Sequence, residues 1–382
     1  MASTTKPIKI GFLSQFSPYD KKVSSGTCYR MATALRAVGD VEWIKIKRTL
    51  PGKVIGKICQ KLRIEGRFRI NFPITRLGAA ITYMPIRDAD LEKYDVVVAF
   101  FCVHILYKFR HIKTPIIYFS DTSLNGLIDY YANYSGLPGF NKRQALALER
   151  RSFQTVSRVV MSSRWAADNA VENGLDPAKA EIVELGANLE DRDVDFSSRC
   201  RPVQDTMHLL FLGVDWDRKG GDVAVETVDW LNSHGCKAVL DVVGVKPPET
   251  VASNPAVVYR GFKDKNDATQ YRELLDLIRN ADMLLLPTRA ECAGIVFAES
   301  SAYGLPILTY DTGGVGNYVI NGVNGYRLPL TATGKDFGST ILRLLKEEAF
   351  DSLSRGGRKL YEEKLNWNAW QERVSEIIRK ML

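Results

Sequence analysis

Short apolar runs rich in Val, Ile, Leu and Phe alternate along the chain with stretches whose apolar residues recur at helical spacing. The runs predict strands over Ile8–Ser14, Trp43–Ile46, Val96–Phe101, Ile116–Phe119, Arg158–Ser162, His208–Gly213, Ala238–Val243, Met283–Pro287 and Pro306–Tyr310. Apolar residues on both faces mean strands buried on both sides. Strands separated by helices mean parallel sheets, so the pattern predicts doubly wound α/β domains. The alternation stops over 189–205, a polar stretch without periodicity, and restarts at His208. It closes on an amphipathic segment over 367–382, with Trp370, Val374, Ile377 and Ile378 on one side. The expected organisation is a first domain over 1–188, a linker over 189–205, a second domain over 206–366 and a closing helix over 367–382.

Length agrees: 382 residues at roughly 150 per domain suggest two, each with its own core. The longest apolar run, Val96 to Tyr107, is interrupted by His104 and falls short of the about 20 residues needed to cross a bilayer. No apolar signal region opens the chain, which predicts a cytoplasmic protein. The six cysteines form no C-x-x-C pair and the four histidines show no ligand spacing, so reduced thiols and no metal are expected. Charge does change the picture. The net +8 is local: 45–76 holds ten basic residues against Glu65, a segment sum of +9. One basic patch implies an anionic surface or partner. Within it, Val54, Ile55, Ile58, Cys59 and Leu62 would form one helical stripe and Lys53, Lys57 and Lys61 another, although Gly52 and Gly56 weaken that helix. Aromatic residues are not interleaved to stack bases, so nucleic acid is not the expected partner.

Ligands of open α/β sheets sit beyond the carboxyl ends of strands, and the chemistry-bearing residues here follow strand ends. After Met283–Pro287 comes PTRAECAGIVFAESSAYG, with Glu291 ahead of a helix that begins near Gly294 and Glu299 inside it. A glycine at a helix start admits a ligand to the backbone, and free N–H groups there attract phosphate. Paired carboxylates beside such a site can accept hydrogen bonds from sugar or ribose hydroxyls. After His208–Gly213 comes FLGVDWDRKGGD, where Arg218 and Lys219 are adjacent cations. Such cations oppose the dipole of the helix they would begin, which argues for an anionic ligand.

The E-x7-E pair, followed by AYGLP and GGVGNYVINGVNG, resembles the retaining GT-B glycosyltransferases, the group containing sucrose synthase and bacterial lipopolysaccharide glucosyltransferases. The resemblance implies two Rossmann-like domains facing a cleft and a nucleotide diphosphate sugar, UDP- or GDP-linked, as donor. It implies that Glu299 holds the ribose, that Glu291 meets the donor sugar, and that the backbone of Gly294, Ile295 and Val296 meets sugar and diphosphate. Arg218 and Lys219 match its R-K-G form and would stabilise the leaving diphosphate. Phe262 and Lys263, in RGFK, resemble the segment lining the base. Asp215-Trp216-Asp217 resembles a metal-binding D-x-D, but the adjacent cations already supply positive charge and D-x-D recurs cheaply here. No metal or other cofactor is expected.

In the first domain, Gly26 and Thr27 match a glycine loop facing the donor phosphates. After Ile116–Phe119 many relatives carry a histidine; this chain has Ser120-Asp121, and Asp121 is the candidate for orienting or deprotonating the acceptor. By resemblance, the acceptor hydroxyl is often lipid-linked or anionic, which gives the 45–76 segment a role in peripheral contact with the inner face of a membrane. The expected activity is a retaining hexosyl transfer in polysaccharide or glycoconjugate biosynthesis. A nucleotide-sugar epimerase or phosphorylase on the same scaffold, or a non-catalytic nucleotide-sugar-binding subunit, remain open alternatives.

Overall fold

The computed structural model describes residues 7–21, 23–64, 69–190, 193–194, 196 and 205–382. The chain divides into two compact units, Met1–Val183 with Gln371–Leu382, and Glu184–Trp370. Glu184–Asn188, expected with the first domain, group with the second. There the Tyr318 hydroxyl accepts from Leu185 N–H at 2.9 Å, and Asn317 Nδ2 donates to Glu184 Oε1 at 2.9 Å. Most of the 189–205 stretch lies outside the described residues. The last helix, Trp367–Arg379, begins in the second unit, where Trp367 Nε1 donates to Asn188 Oδ1 at 3.1 Å; from Gln371 it groups with the first.

The first unit is a parallel sheet of β1 (Lys9–Ser14), β2 (Asp40–Lys45), β3 (Val96–Phe100), β4 (Ile116–Ser120), β5 (Arg158–Met161) and β6 (Ala180–Ile182), ordered β2-β1-β3-β4-β5-β6. β3 and β4 are buried at every residue, as their continuous apolar runs require. The second unit is a parallel sheet of β7 (Met207–Gly213), β8 (Ala238–Gly244), β9 (Val257–Tyr259), β10 (Met283–Leu286), β11 (Ile307–Tyr310) and β12 (Gly325–Leu328), ordered β12-β11-β10-β7-β8-β9. Strand order reverses between β1 and β3 in one sheet and between β7 and β10 in the other. Connections diverge to opposite faces at such points and leave a crevice at the carboxyl ends.

The basic segment forms a helix over Leu50–Ile64 despite its glycines. Gly52 is there for contact: a Cβ on it would lie 2.5 Å from Thr82 Cα of the neighbouring helix Arg76–Thr82. The expected single apolar stripe is split. Ile55, Cys59 and Leu62 are half-buried, whereas Leu50, Val54 and Ile58 are 77%, 56% and 53% exposed beside exposed Lys53, Lys57 and Lys61. Leu77, on the neighbouring helix, is 63% exposed. Among the described residues no helix is long and apolar enough to cross a membrane.

A buried carboxylate braces the loop after β4. Glu149, in the helix Gly139–Thr155, accepts from Leu124 N–H at 2.6 Å and from Asn173 Nδ2 at 2.8 Å. Burial pushes its carboxyl up to about 7, against the lowering effect of those hydrogen bonds. A folded-state value above the unfolded one means that the native state holds the proton more tightly. The associated stability is therefore complete below about pH 4.5 and is lost as pH rises towards 7. At about 1.4 kcal/mol per unit, the loss is roughly 3 kcal/mol. Urea melts at pH 5 and pH 7.5 should show this fall in the wild type and a flatter profile in Glu149→Gln; parallel profiles would assign the buried carboxyl no such linkage.

Candidate functional site

Two loops meet at the crevice between β7 and β10. The first runs from Val214 to Gly220. Asp215 begins it as an N-cap, its carboxylate accepting from Arg218 N–H at 3.1 Å and starting the one-turn helix Trp216–Lys219. This corrects the dipole argument. Arg218 and Lys219 lie in the last turn of that short helix, where cations are favoured, and only then does Gly221–Ser233 begin. The turn ends at Gly220, whose φ of 74° is left-handed. A Cβ there would sit 2.1 Å from the Pro287 carbonyl oxygen, so only glycine allows the two loops this approach.

The second loop is stitched to the first. Arg289 N–H donates to the Arg218 carbonyl at 2.8 Å. The Arg289 guanidinium donates to the Asp217 carbonyl at 2.5 Å and to both Asp222 carboxylate oxygens, at 2.9 and 2.6 Å. A third loop joins them: Gly314 N–H donates to the Glu291 carbonyl at 3.0 Å, and Thr312 Oγ1 to that of Arg289 at 3.2 Å.

These backbone contacts aim three side chains at one point. Lys219 Nζ is ion-paired with Glu291 Oε2, and Arg218 Nη1 lies 3.5 Å from the same oxygen while donating to the Ala290 carbonyl at 2.9 Å. Arg218 is also held by Asp215, 3.5 Å from its Nε. Lys219 is buried, and its stem runs over Gly213, where a Cβ would lie 2.9 Å from Lys219 Cγ. Arg218 and Lys219 are thus set side by side on Glu291, with Asp215 also paired to Arg218, in a partly desolvated crevice. Such an arrangement suits an anion bearing more than one charge.

Next to this cluster begins the helix Ile295–Ala302, with Gly294 as a left-handed N-cap at φ 76°. The first N–H groups of a helix have no acceptor within it, so those of Ile295 and Val296 belong to an anion-attracting terminus. Glu299 lies inside this helix, buried, and is ion-paired with Lys265. Lys265 was not among the sequence candidates. The only signal for it was a lysine in the polar turn before the helix Ala268–Asn280. Lys263 is instead paired with Glu273 at 2.5 Å, and Phe262 is exposed after the short edge strand β9.

The remaining candidates lie in the first unit. Gly26, at φ 90°, caps the helix Thr27–Arg36 and follows Ser24 and Ser25, at φ 52° and 56°. Ser24 and Ser25 are strained in that conformation, whereas Gly26 adopts it freely, and strain of this kind collects at ligand-binding turns. Thr27 is buried. Asp121 follows β4 and is half-buried, just before the segment that Glu149 holds. Among the described residues no cluster of three or more His, Cys, Asp or Glu side chains could hold a metal ion.

Residues 206–347 match the family model described as Glycosyl transferases group 1. Glycogen synthase of Mycobacterium tuberculosis is 27% identical over 189 residues, 49% of this chain and 45% of that protein. Lipopolysaccharide glucosyltransferase WaaG of Escherichia coli is 27% identical over 194 residues, 46% of this chain and 50% of that protein. The chain thus spans about half the length of these curated relatives. A crystal structure of WaaG aligns with a TM-score of 0.62 at 18% identity, covering 97% of this chain and 99% of that one. The Anabaena protein Alr3699/HepE, solved in complex with UDP and glucose, aligns with a TM-score of 0.64 at 15% identity over 98% of this chain and 100% of that one. The two Rossmann-like units match the GT-B fold of glycosyltransferase structures.

Proposed function

We propose, from the premise that residues 206–347 form a Glycosyl transferases group 1 domain, that the chain transfers a hexosyl group from a nucleotide diphosphate sugar to an acceptor hydroxyl with retention of anomeric configuration. The observation that carries this reading is the convergence of Arg218 and Lys219 on Glu291 beside the Gly294 helix start. As the glycosidic bond breaks, negative charge accumulates on the leaving diphosphate. Arg218, Lys219 and the N–H groups of Ile295 and Val296 are fixed donors for that charge, and a preorganised cation lowers the barrier without transferring a proton. Glu291 accepts hydrogen bonds from the donor sugar. Glu299, steadied by Lys265, accepts those of the ribose. The base lies towards Phe262 and Lys263, UDP being the first nucleotide to try because HepE was solved with it.

Retention follows from attack on the face the diphosphate leaves, with a diphosphate oxygen receiving the acceptor proton. Asp121, Gly26 and Thr27 serve the acceptor and phosphate side. Neither a metal nor another cofactor takes part, because the two cations supply the charge compensation a divalent ion would. The exposed Leu50, Val54 and Ile58, flanked by lysines, give the Leu50–Ile64 helix an apolar ridge and a cationic border, the composition of a helix lying in an anionic bilayer surface.

The test is product analysis by NMR with UDP-glucose and GDP-mannose, in chelator, with and without an alkyl glycoside acceptor. Transfer with the donor's anomeric configuration is the expected result. Inversion, or an absolute need for a divalent ion, would sink the mechanism; conversion of the donor without acceptor would indicate an epimerase.

A further inference from the structure

Glu299 is nearly sealed within the helix Ile295–Ala302, its side chain 4% exposed. It follows the Gly294 cap by five residues, which sets it about 7.5 Å further along the axis than the anion-attracting terminus. Lys265 Nζ donates to its Oε1. Among the described residues the Glu299 side chain has no other partner, so Oε2 is left without one. Oε2 is not one of the sealed interior atoms that lack a hydrogen bond, so solvent reaches it. The pair therefore presents an open carboxylate oxygen beside an ammonium that still has two N–H groups to give.

Lys265 comes to this place on a turn held by its own bonds. The turn leaves the carboxyl ends of β8 and β9, where Gly244 N–H donates to the Gly261 carbonyl at 3.1 Å. Asp264 N–H donates to Gln270 Oε1 at 3.0 Å, and the Asp264 carboxylate accepts from Asn266 N–H at 3.0 Å and from Asn266 Nδ2 at 3.1 Å. Asp267 then caps the helix Ala268–Asn280, accepting from Thr269 and Gln270 N–H, each at 2.9 Å. None of these bonds uses the Lys265 side chain, so the turn keeps its shape without it and delivers it to Glu299. Lys263, two residues earlier, is drawn off by Glu273. At 24% exposure the Lys265 side chain has given up much of the rotamer freedom of a surface lysine.

We propose that Lys265 reads the ribose directly: its ammonium donates to one hydroxyl of the cis-diol while Glu299 Oε2 accepts from the other. This rests on the reading of Glu299 as the ribose carboxylate, and it gives a ligand contact to a residue that there only steadies Glu299. A carboxylate acting alone would take both hydroxyls as donors, one on each oxygen. With Oε1 held by Lys265, the two hydroxyls meet unlike partners, one a donor and one an acceptor. Loss of either hydroxyl leaves one partly desolvated group unpaired, and a site built in this way rejects the deoxy analogue. Different side chains carry the two rejections, so each can be removed without the other.

Titration calorimetry of the full chain with UDP, 2′-deoxy-UDP and 3′-deoxy-UDP is the test. Wild type should bind UDP at least about tenfold more tightly than either analogue. In Lys265→Met, UDP binding should weaken about tenfold, and the penalty for one analogue should vanish while the other persists. Wild type that binds all three alike, or a Lys265→Met protein that keeps both penalties, overturns the proposal. So does weakening of all three ligands by one common factor, which is what a merely structural lysine would give. Lys265→Met leaves Glu299 buried without a counter-ion. If it fails to fold, Glu299→Met and the double variant Lys265→Met/Glu299→Met, which buries no charge, carry the test. The first should then keep one penalty and the second neither; equal penalties in the two would overturn the role of Lys265. If Glu299→Met keeps both penalties, the ribose lies elsewhere and the reading of Glu299 itself fails, a different failure from that of Lys265.

Discussion

Lys219→Ala lowers turnover by about a hundred- to a thousandfold while the protein stays folded. The size is that of removing one preorganised donor from developing negative charge, about 3–4 kcal/mol of barrier. Stability is spared because Arg218 Nη1 already lies 3.5 Å from the Glu291 oxygen that Lys219 engages. The carboxylate is therefore not left without a partner, the usual source of large losses on breaking a buried pair. Lys219→Arg should not restore the rate. The stem crosses Gly213 at 2.9 Å from where a Cβ would be, and a planar guanidinium needs room that a lysine head does not. Steady-state kinetics with a UDP-sugar donor, alongside a thermal melt, is the measurement. A fall of less than fivefold would remove Lys219 from the charge-stabilising set.

Gly220→Ala loses about 3–5 kcal/mol of stability and most activity together. The left-handed φ of 74° costs an alanine about 1–2 kcal/mol. The 2.1 Å approach of its Cβ to the Pro287 carbonyl cannot be relieved by rotating a side chain, so the loops after β7 and β10 must separate. Their separation breaks the Arg289 clamp on Asp217 and Asp222 and draws Arg218 and Lys219 away from Glu291. Gly235 is the control. It has a similar φ of 81° with open space around it, so Gly235→Ala should lose only the conformational part, about 1–2 kcal/mol. Urea denaturation of the two variants separates strain from collision. Equal losses would mean that the loop contact contributes little.

Much of this was legible in the chain. All nine predicted strands exist within a residue or three at their ends; eight are central parallel strands, which need continuous apolar runs, and the ninth, β2, is an edge strand legible from its Trp43–Ile46 run. The three that escaped notice, β6, β9 and β12, are edge strands of three or four residues, largely half-exposed, with no such run to announce them. Arg218, Lys219, Glu291 and Glu299 are singled out by strand ends and by the resemblance as one cradle; the first three meet in the structure, and Glu299 pairs with Lys265. Helical spacing misled over Val54 and Ile58: they adjoin Ile55 and Cys59 on the helix, and periodicity alone does not say which flank of an apolar sector faces the protein. Lys265 and Arg289 escaped for another reason. Each acts through a partner more than thirty residues away, a relation that only the folded chain creates.

The unequal anchoring of the second sheet bears on how such a protein diversifies. The turns that hold Arg218, Lys219 and Glu291 follow two central strands and are locked to each other by backbone bonds. Phe262 instead hangs from a three-residue margin secured by the Lys263–Glu273 pair. If the proposed reading holds, substitutions on that margin would alter the choice of base without disturbing the turns that carry Arg218, Lys219 and Glu291.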